Sequence, residues 1–170
     1  MIAGVVVRPL DGARDMPGML ALADAELRSP GCKIIPHDLE FYGRYRGSAG
    51  ETLVATHDEA IIGLILLAAP ERLHPIWHDR AGALGLDPAR CGCLVQVILA
   101  PTFRGRGLSQ PLIEGLVACA RERGIEQLFT SVDPDNPASM QTMVRGGFRC
   151  FEVATVYSEQ VVRALFHRTL

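Results

Sequence analysis

Lysine is almost absent from this 170-residue chain: of 17 basic residues, Lys33 alone is lysine and the rest are arginine. That skew fits genome composition better than any function. Charge of one sign is lacking too, since 17 basic residues face 19 acidic ones for a formal net charge of −2. With no basic excess there is little to release counterions from a phosphate backbone, so a sequence-nonspecific nucleic-acid binder is excluded. Long hydrophobic runs are missing: the longest uncharged apolar stretch, Ala60 to Pro70, is too short to span a bilayer. Met1 to Leu10 lacks the basic start and apolar length of a secretory signal, so the expected compartment is the cytoplasm, with no membrane partner. The five cysteines are odd in number and scattered, which reads as reduced thiols rather than a disulfide framework. Aromatics make up 6%, with three tyrosines and one tryptophan.

What remains is a well-stocked core. Residues of the aliphatic, aromatic and sulfur-bearing set make up 48% of the chain. Its length suits one domain, residues 1–170, burying roughly 70% of its unfolded surface.

Val5 to Arg8 reads as a first strand, and the apolar spacing of Met16, Leu20, Ala23 and Leu27 as a helix over Arg14 to Arg28. Pro17 and Gly18 are expected in that helix's first turn. A shorter helix follows over Asp38 to Arg46. Thr52 to Thr56 and Ile61 to Ala68 form a hairpin. Glu71 to Gly92 reads as irregular, either a functional loop or a surface excursion with a short helix near Ile76 to Leu84. Leu94 to Leu99 is a buried central strand, and Leu108 to Arg123 the clearest helix, capped by Gly124. Leu128 to Val132 is a strand and Asp133 to Pro137 a turn into a helix ending near Arg145. Phe148 to Val156 and Val161 to His167 close the chain as a hairpin over Ser158, Glu159 and Gln160. The class is α/β, a mixed sheet flanked by helices.

The sharpest local feature joins the central strand to the long helix: Pro101-Thr102-Phe103-Arg104-Gly105-Arg106-Gly107-Leu108-Ser109. Two glycines one residue apart turn tightly and leave amide N–H groups uncovered at a helix N-terminus, an anion cradle suited to a pyrophosphate. No lysine follows, so it is not a P-loop, and the third glycine of a dinucleotide fingerprint is missing.

A second feature, Asp133-Pro134-Asp135-Asn136-Pro137 leading through a helix to Gly147-Phe148, gives the pair its meaning. Together they resemble the GNAT superfamily of acyl-CoA-dependent N-acyltransferases, departing from its first motif only at Ser109. The resemblance implies a mostly antiparallel central sheet with a splay at strands 4 and 5. It also implies acetyl-CoA as co-substrate and a small-molecule amine as acceptor, with a homodimer left open. Acetylation of a protein lysine or N-terminus, and a non-catalytic acyl-CoA-binding module, are the alternatives. By the same resemblance, backbone groups of Val97 and Leu99 pair with the pantetheine arm, laid like an added strand. The amides of Arg104, Gly105, Arg106, Gly107, Leu108 and Ser109 hold the pyrophosphate, and Asn136 contacts the pantetheine. Asn136 before Pro137 is equally a helix cap, and the two roles are compatible. Acceptor selectivity is expected from Cys32 to Tyr45, from Glu71 to Gly92 and from the closing hairpin.

The catalytic groups are harder to name. The family's frequent tyrosine on the last helix, a proton donor to the leaving thiolate, corresponds here to Met143, which cannot donate. Ser139 is a weak substitute, and Glu51, His74 and His78 are weak candidates for a base. Cys93 matches a glutamate of some relatives and is expected to pack, on the same face as Val95 and Val97. His74, His78, Cys91 and Cys93 could nominally bind zinc, but the two sulfurs are expected to diverge, so no metal site is assigned. Trp77 is expected to anchor the long segment.

Overall fold

A computed structural model describes residues 3–30, 32–35, 37–158 and 161–170. The first strand, β1 (Val5–Pro9), runs into α1 (Gly12–Leu27) through a cap that sets the helix's start. Asp11 Oδ1 accepts the Ala13 N–H at 3.2 Å, and Asp15 reaches back to the Asp11 N–H at 2.8 Å. Asp15 also pairs with Arg8 of β1, whose guanidinium holds the buried carboxyl below the usual carboxylate range. Because the helix starts at this cap, Pro17 lies inside α1, not in its first turn as expected. It forgoes one helical hydrogen bond there.

After the short α2 (Leu39–Gly43), β2 (Gly50–His57) and β3 (Ala60–Ala68) form a hairpin. Its two turn residues, Asp58 and Glu59, have φ of 48° and 65°. A turn with positive φ at both centres matches strand twist but strains a non-glycine residue by about 1–2 kcal/mol. Glu59→Gly is therefore expected to stabilise the protein by about 0.5 kcal/mol, net of added unfolded-state freedom. The exposed pair that Glu59 makes with Arg14 is worth little against this. A denaturation midpoint that stays put or falls would contradict the turn's geometry.

The segment 71–92 follows the second of its two expected readings, the one with a short helix. It carries α3 (Pro75–Ala83), begun by His74 as cap and Pro75 at its first position. Trp77, 1% exposed, stacks on Phe129 with centroids 5.3 Å apart. This is the anchor expected of it. Then come β4 (Cys91–Leu99), α4 (Ser109–Glu122), β5 (Gln127–Val132), α5 (Pro137–Arg145), β6 (Arg149–Thr155) and β7 (Val162–Thr169). Of the turn joining the last two strands, Glu159 and Gln160 lie outside the described residues.

The seven strands form one sheet in the order β1-β2-β3-β4-β5-β7-β6. Among the described residues only β4 and β5 run parallel, and they pair over just three positions, Cys91 to Cys93 against Gln127 to Phe129. Beyond these the strands part, because β5 continues in register with β7 while β4 stays with β3. This is the expected splay. Helices α4 and α5 pack on one face around Leu112, Leu116 and Phe148. Helices α1, α2 and α3 cover the other through clusters containing Met19, Tyr42 and Trp77.

A bulge shapes the open edge. Leu66 pairs with Gln96 but Leu67 with Leu94, so Val95 has no opposite number. Cys93 and Val95 pack toward the α1–α3 face, whereas Val97 packs toward α4. The expected grouping of all three on one face is thus corrected by the bulge, which breaks the alternation. A second correction concerns Cys91 and Cys93: being two residues apart, they point the same way, into the Trp77 cluster, and do not diverge. Burial pushes their thiols up to about 11 and about 12, so both pack as neutral groups.

Candidate active site

The turn between β4 and α4 is built as a set of free amides. Gly105 and Gly107 have φ of 71° and 80°, a region that side chains rarely enter, so the backbone reverses twice before α4 begins. Leu108 caps α4 with no side-chain hydrogen bond. Among the described residues, the N–H groups of Gly105, Arg106, Gly107, Leu108 and Ser109 have no partner in the chain. Five uncovered amides at the positive end of a 14-residue helix favour an anion.

Arg104 is placed differently from expectation. Its N–H donates to the Pro101 carbonyl, so the cradle begins at Gly105. Its guanidinium donates to the Leu99 carbonyl at 3.0 Å and pairs with Glu26 of α1. The side chain ties the turn to α1, and its charge is spent there. Arg106 stays exposed, 5.8 Å above the Phe103 ring.

The open edge of β4 leads to this cradle. Ala100 N–H donates to the Ile62 carbonyl at 2.8 Å, so Ile98 also faces β3. By alternation, Val97 and Leu99 turn their N–H groups to the splay, where β5 has already moved away. A strand-like ligand has donors waiting there. Asn136 lines the cleft at the start of α5: its Oδ1 accepts the Ser139 N–H at 3.1 Å, and its NH2 has no partner among the described residues.

The splay widens into a cleft of about 320 Å³ between the α1–α2 connection, β4, β5, α5 and the β6–β7 hairpin. Met143 and Ser139 lie on its α5 side. Tyr157 lines the same cleft, although it is not on the last helix and no motif marks it in the sequence. Its hydroxyl lies 3.1 Å from Ser131 Oγ of β5, and burial raises its pKa well above the ordinary phenol value. Tyr45, also on the wall, is pushed up to about 12 by burial. Both phenols stay protonated in neutral solution. Arg163 and the Lys33–Asp133 pair, 3.6 Å apart, complete the polar lining.

The other weak candidates fare unequally. Glu51 lies outside the cleft, 2.9 Å from Arg123. His78 is exposed on α3 and does not line it. His74 does, with its ring edge-on to Tyr157 at 5.2 Å. However, its Nδ1 accepts the Ile76 N–H at 3.3 Å, and burial lowers its pKa. The neutral ring therefore carries its proton on Nε2, which makes it a donor toward the cleft rather than a base. Among the described residues, no group of three His, Cys, Asp or Glu side chains comes together in a way that could hold a metal ion.

Comparison with known proteins agrees with this fold. L-2,4-diaminobutyric acid acetyltransferase from Streptomyces coelicolor is 51% identical over 47 residues, 27% of this chain and 28% of that protein. The chain thus spans about a quarter of that relative's length in the match. A GCN5-related N-acetyltransferase from Kribbella flavida shares the fold at TM-score 0.73 and 18% identity, covering 98% of both chains. Salmonella typhimurium yncA, solved with its cofactor acetyl-CoA, does so at TM-score 0.72 and 16% identity, covering 98% of this chain and 94% of that one. The sequence profile of the acetyltransferase (GNAT) family matches residues 19–148, from within α1 to the phenylalanine after α5. With three quarters of its length matched in this way, the chain belongs to the GNAT acetyltransferase family.

Proposed function

We propose that this acetyltransferase moves the acetyl group of acetyl-CoA to a primary amine of a small molecule, by direct attack within a ternary complex. The observation that carries the reading is the continuity of the β4 edge. Five free amides at Gly105 to Ser109 suit a pyrophosphate, the outward N–H groups of Val97 and Leu99 suit the pantetheine arm, and the same edge opens on the cleft. The likeness to an enzyme named for diaminobutyric acid supports a small acceptor.

Within that complex the amine, once deprotonated to solvent, attacks the thioester carbonyl carbon. The C–N bond forms, the nitrogen releases its extra proton to solvent, the C–S bond breaks, and the electron pair leaves on sulfur. The outward amide of Val97 or Leu99 stabilises charge developing on the carbonyl oxygen. Tyr157 supplies the proton to the departing thiolate and regains one through Ser131, the role that Met143 cannot fill. This hydroxyl also favours an enzyme over a module that binds acyl-CoA without turnover.

A panel of small amines and lysine-bearing peptides with acetyl-CoA, followed by thiol release, tests the reading. Turnover of small amines above peptides is expected. Stabilisation by acetyl-CoA without turnover of any amine would make the chain a binding module. Absence of stabilisation by any acyl-CoA would overturn the assignment of the cradle.

A further inference from the structure

Arg163 is a buried charge that the transfer chemistry leaves unused. It is the second residue of β7, opposite Ala154, and is 7% exposed. A guanidinium carries five N–H donors. Here one is engaged, Nη1 donating to the Lys33 carbonyl at 3.3 Å, while Nε is buried with no partner. Among the described residues Arg163 has no carboxylate partner, whereas Lys33 beside it is already matched by Asp133. Burying an uncompensated cation is expensive unless something binds there. The side chain lines the same cleft that receives the β4–β5 splay.

We infer that Arg163 anchors a carboxylate on the acceptor. The acceptor class is then an amine that also bears a carboxylate, an amino acid or ω-amino acid, docked by its carboxylate on the guanidinium fork while its amine reaches the splay. Arginine suits this because its planar fork meets both oxygens of a carboxylate. A cleft of about 320 Å³ limits the ligand to a small molecule. The inference rests on the acetyl-transfer reading above.

Its test compares kcat/KM for amines matched with and without the carboxylate: 2,4-diaminobutyrate against 1,3-diaminopropane, and lysine against 1,5-diaminopentane. The carboxylated member is expected to win by about 10- to 100-fold, the scale of a charge-assisted contact. Arg163→Met should collapse that ratio toward unity, and Arg163→Lys should keep part of it. CoA affinity, measured by calorimetry, shows independently that each variant is folded. Should Arg163→Met fail to fold, the wild-type ratio and Arg163→Lys decide. Equal rates for both members in the wild type, or an undiminished ratio in Arg163→Met, overturn the inference. So does a stronger preference for O-phosphoethanolamine over every carboxylated amine. Failure to acetylate any amine sinks the transfer reading itself, a result distinct from loss of the preference alone.

Discussion

Replacing Gly107 with valine is expected to weaken CoA binding at least 100-fold while the protein stays folded. A Cβ at this position meets nothing within 4 Å, so the fold loses no packing. The difficulty is the backbone. At φ of 80° a β-branched residue is strained, and relaxing toward negative φ re-aims the amides of Gly107 and Leu108. Hydrogen bonds to a charged group are worth about 1.5–3 kcal/mol each, so losing two costs about 3–6 kcal/mol of binding. Calorimetric titration of CoA measures the loss, and thermal unfolding without ligand shows that the protein is intact. Affinity within threefold of wild type would mean that the pyrophosphate sits elsewhere.

Tyr157→Phe is expected to lower kcat about 100-fold with acceptor KM little changed. That lies at the low end of general-acid effects, because a thiolate of pKa about 8.5 already leaves readily. The pH profile separates catalysis from packing. Burial keeps the phenol protonated well past its ordinary pKa, so wild-type kcat should show no falling limb below about pH 10. A rising limb is expected from deprotonation of the acceptor amine. The same shift couples to stability: ionising the phenol costs the folded state more than the unfolded one, so stability is unaffected below the unfolded phenol value and falls as pH rises above it. A Tyr157→Phe enzyme with full kcat would leave the thiolate to depart unaided.

The parts of this molecule legible in sequence are those whose signal is local. The paired glycines of the cradle, the Asn136-Pro137 cap of α5 and the apolar run of β4 each carry their structure in adjacent residues. What was illegible depends on distant pairing. The β4 bulge exists because Leu66 and Leu67 take partners that skip Val95, and nothing in the β4 sequence announces it. Helix α3 is legible only as one of two readings of its segment, because Pro75, Gly82 and Gly85 mask its periodicity, although His74 and Pro75 are a start signal. Tyr157 and Arg163 look like ordinary residues of a closing hairpin. They reach the cleft only because β7 inserts between β5 and β6, which carries that hairpin to the splay.

The scarcity of lysine gains a use once Lys33 is seen on the cleft wall, 3.6 Å from Asp133. Guanidinium groups do not react with amine-selective reagents under mild conditions, so the chain presents one ε-amine, and it borders the cleft. Reductive methylation with a carbon-13 label would place a single side-chain reporter there, alongside the α-amine. Its resonance would follow occupancy of the cleft without a substitution anywhere in the protein.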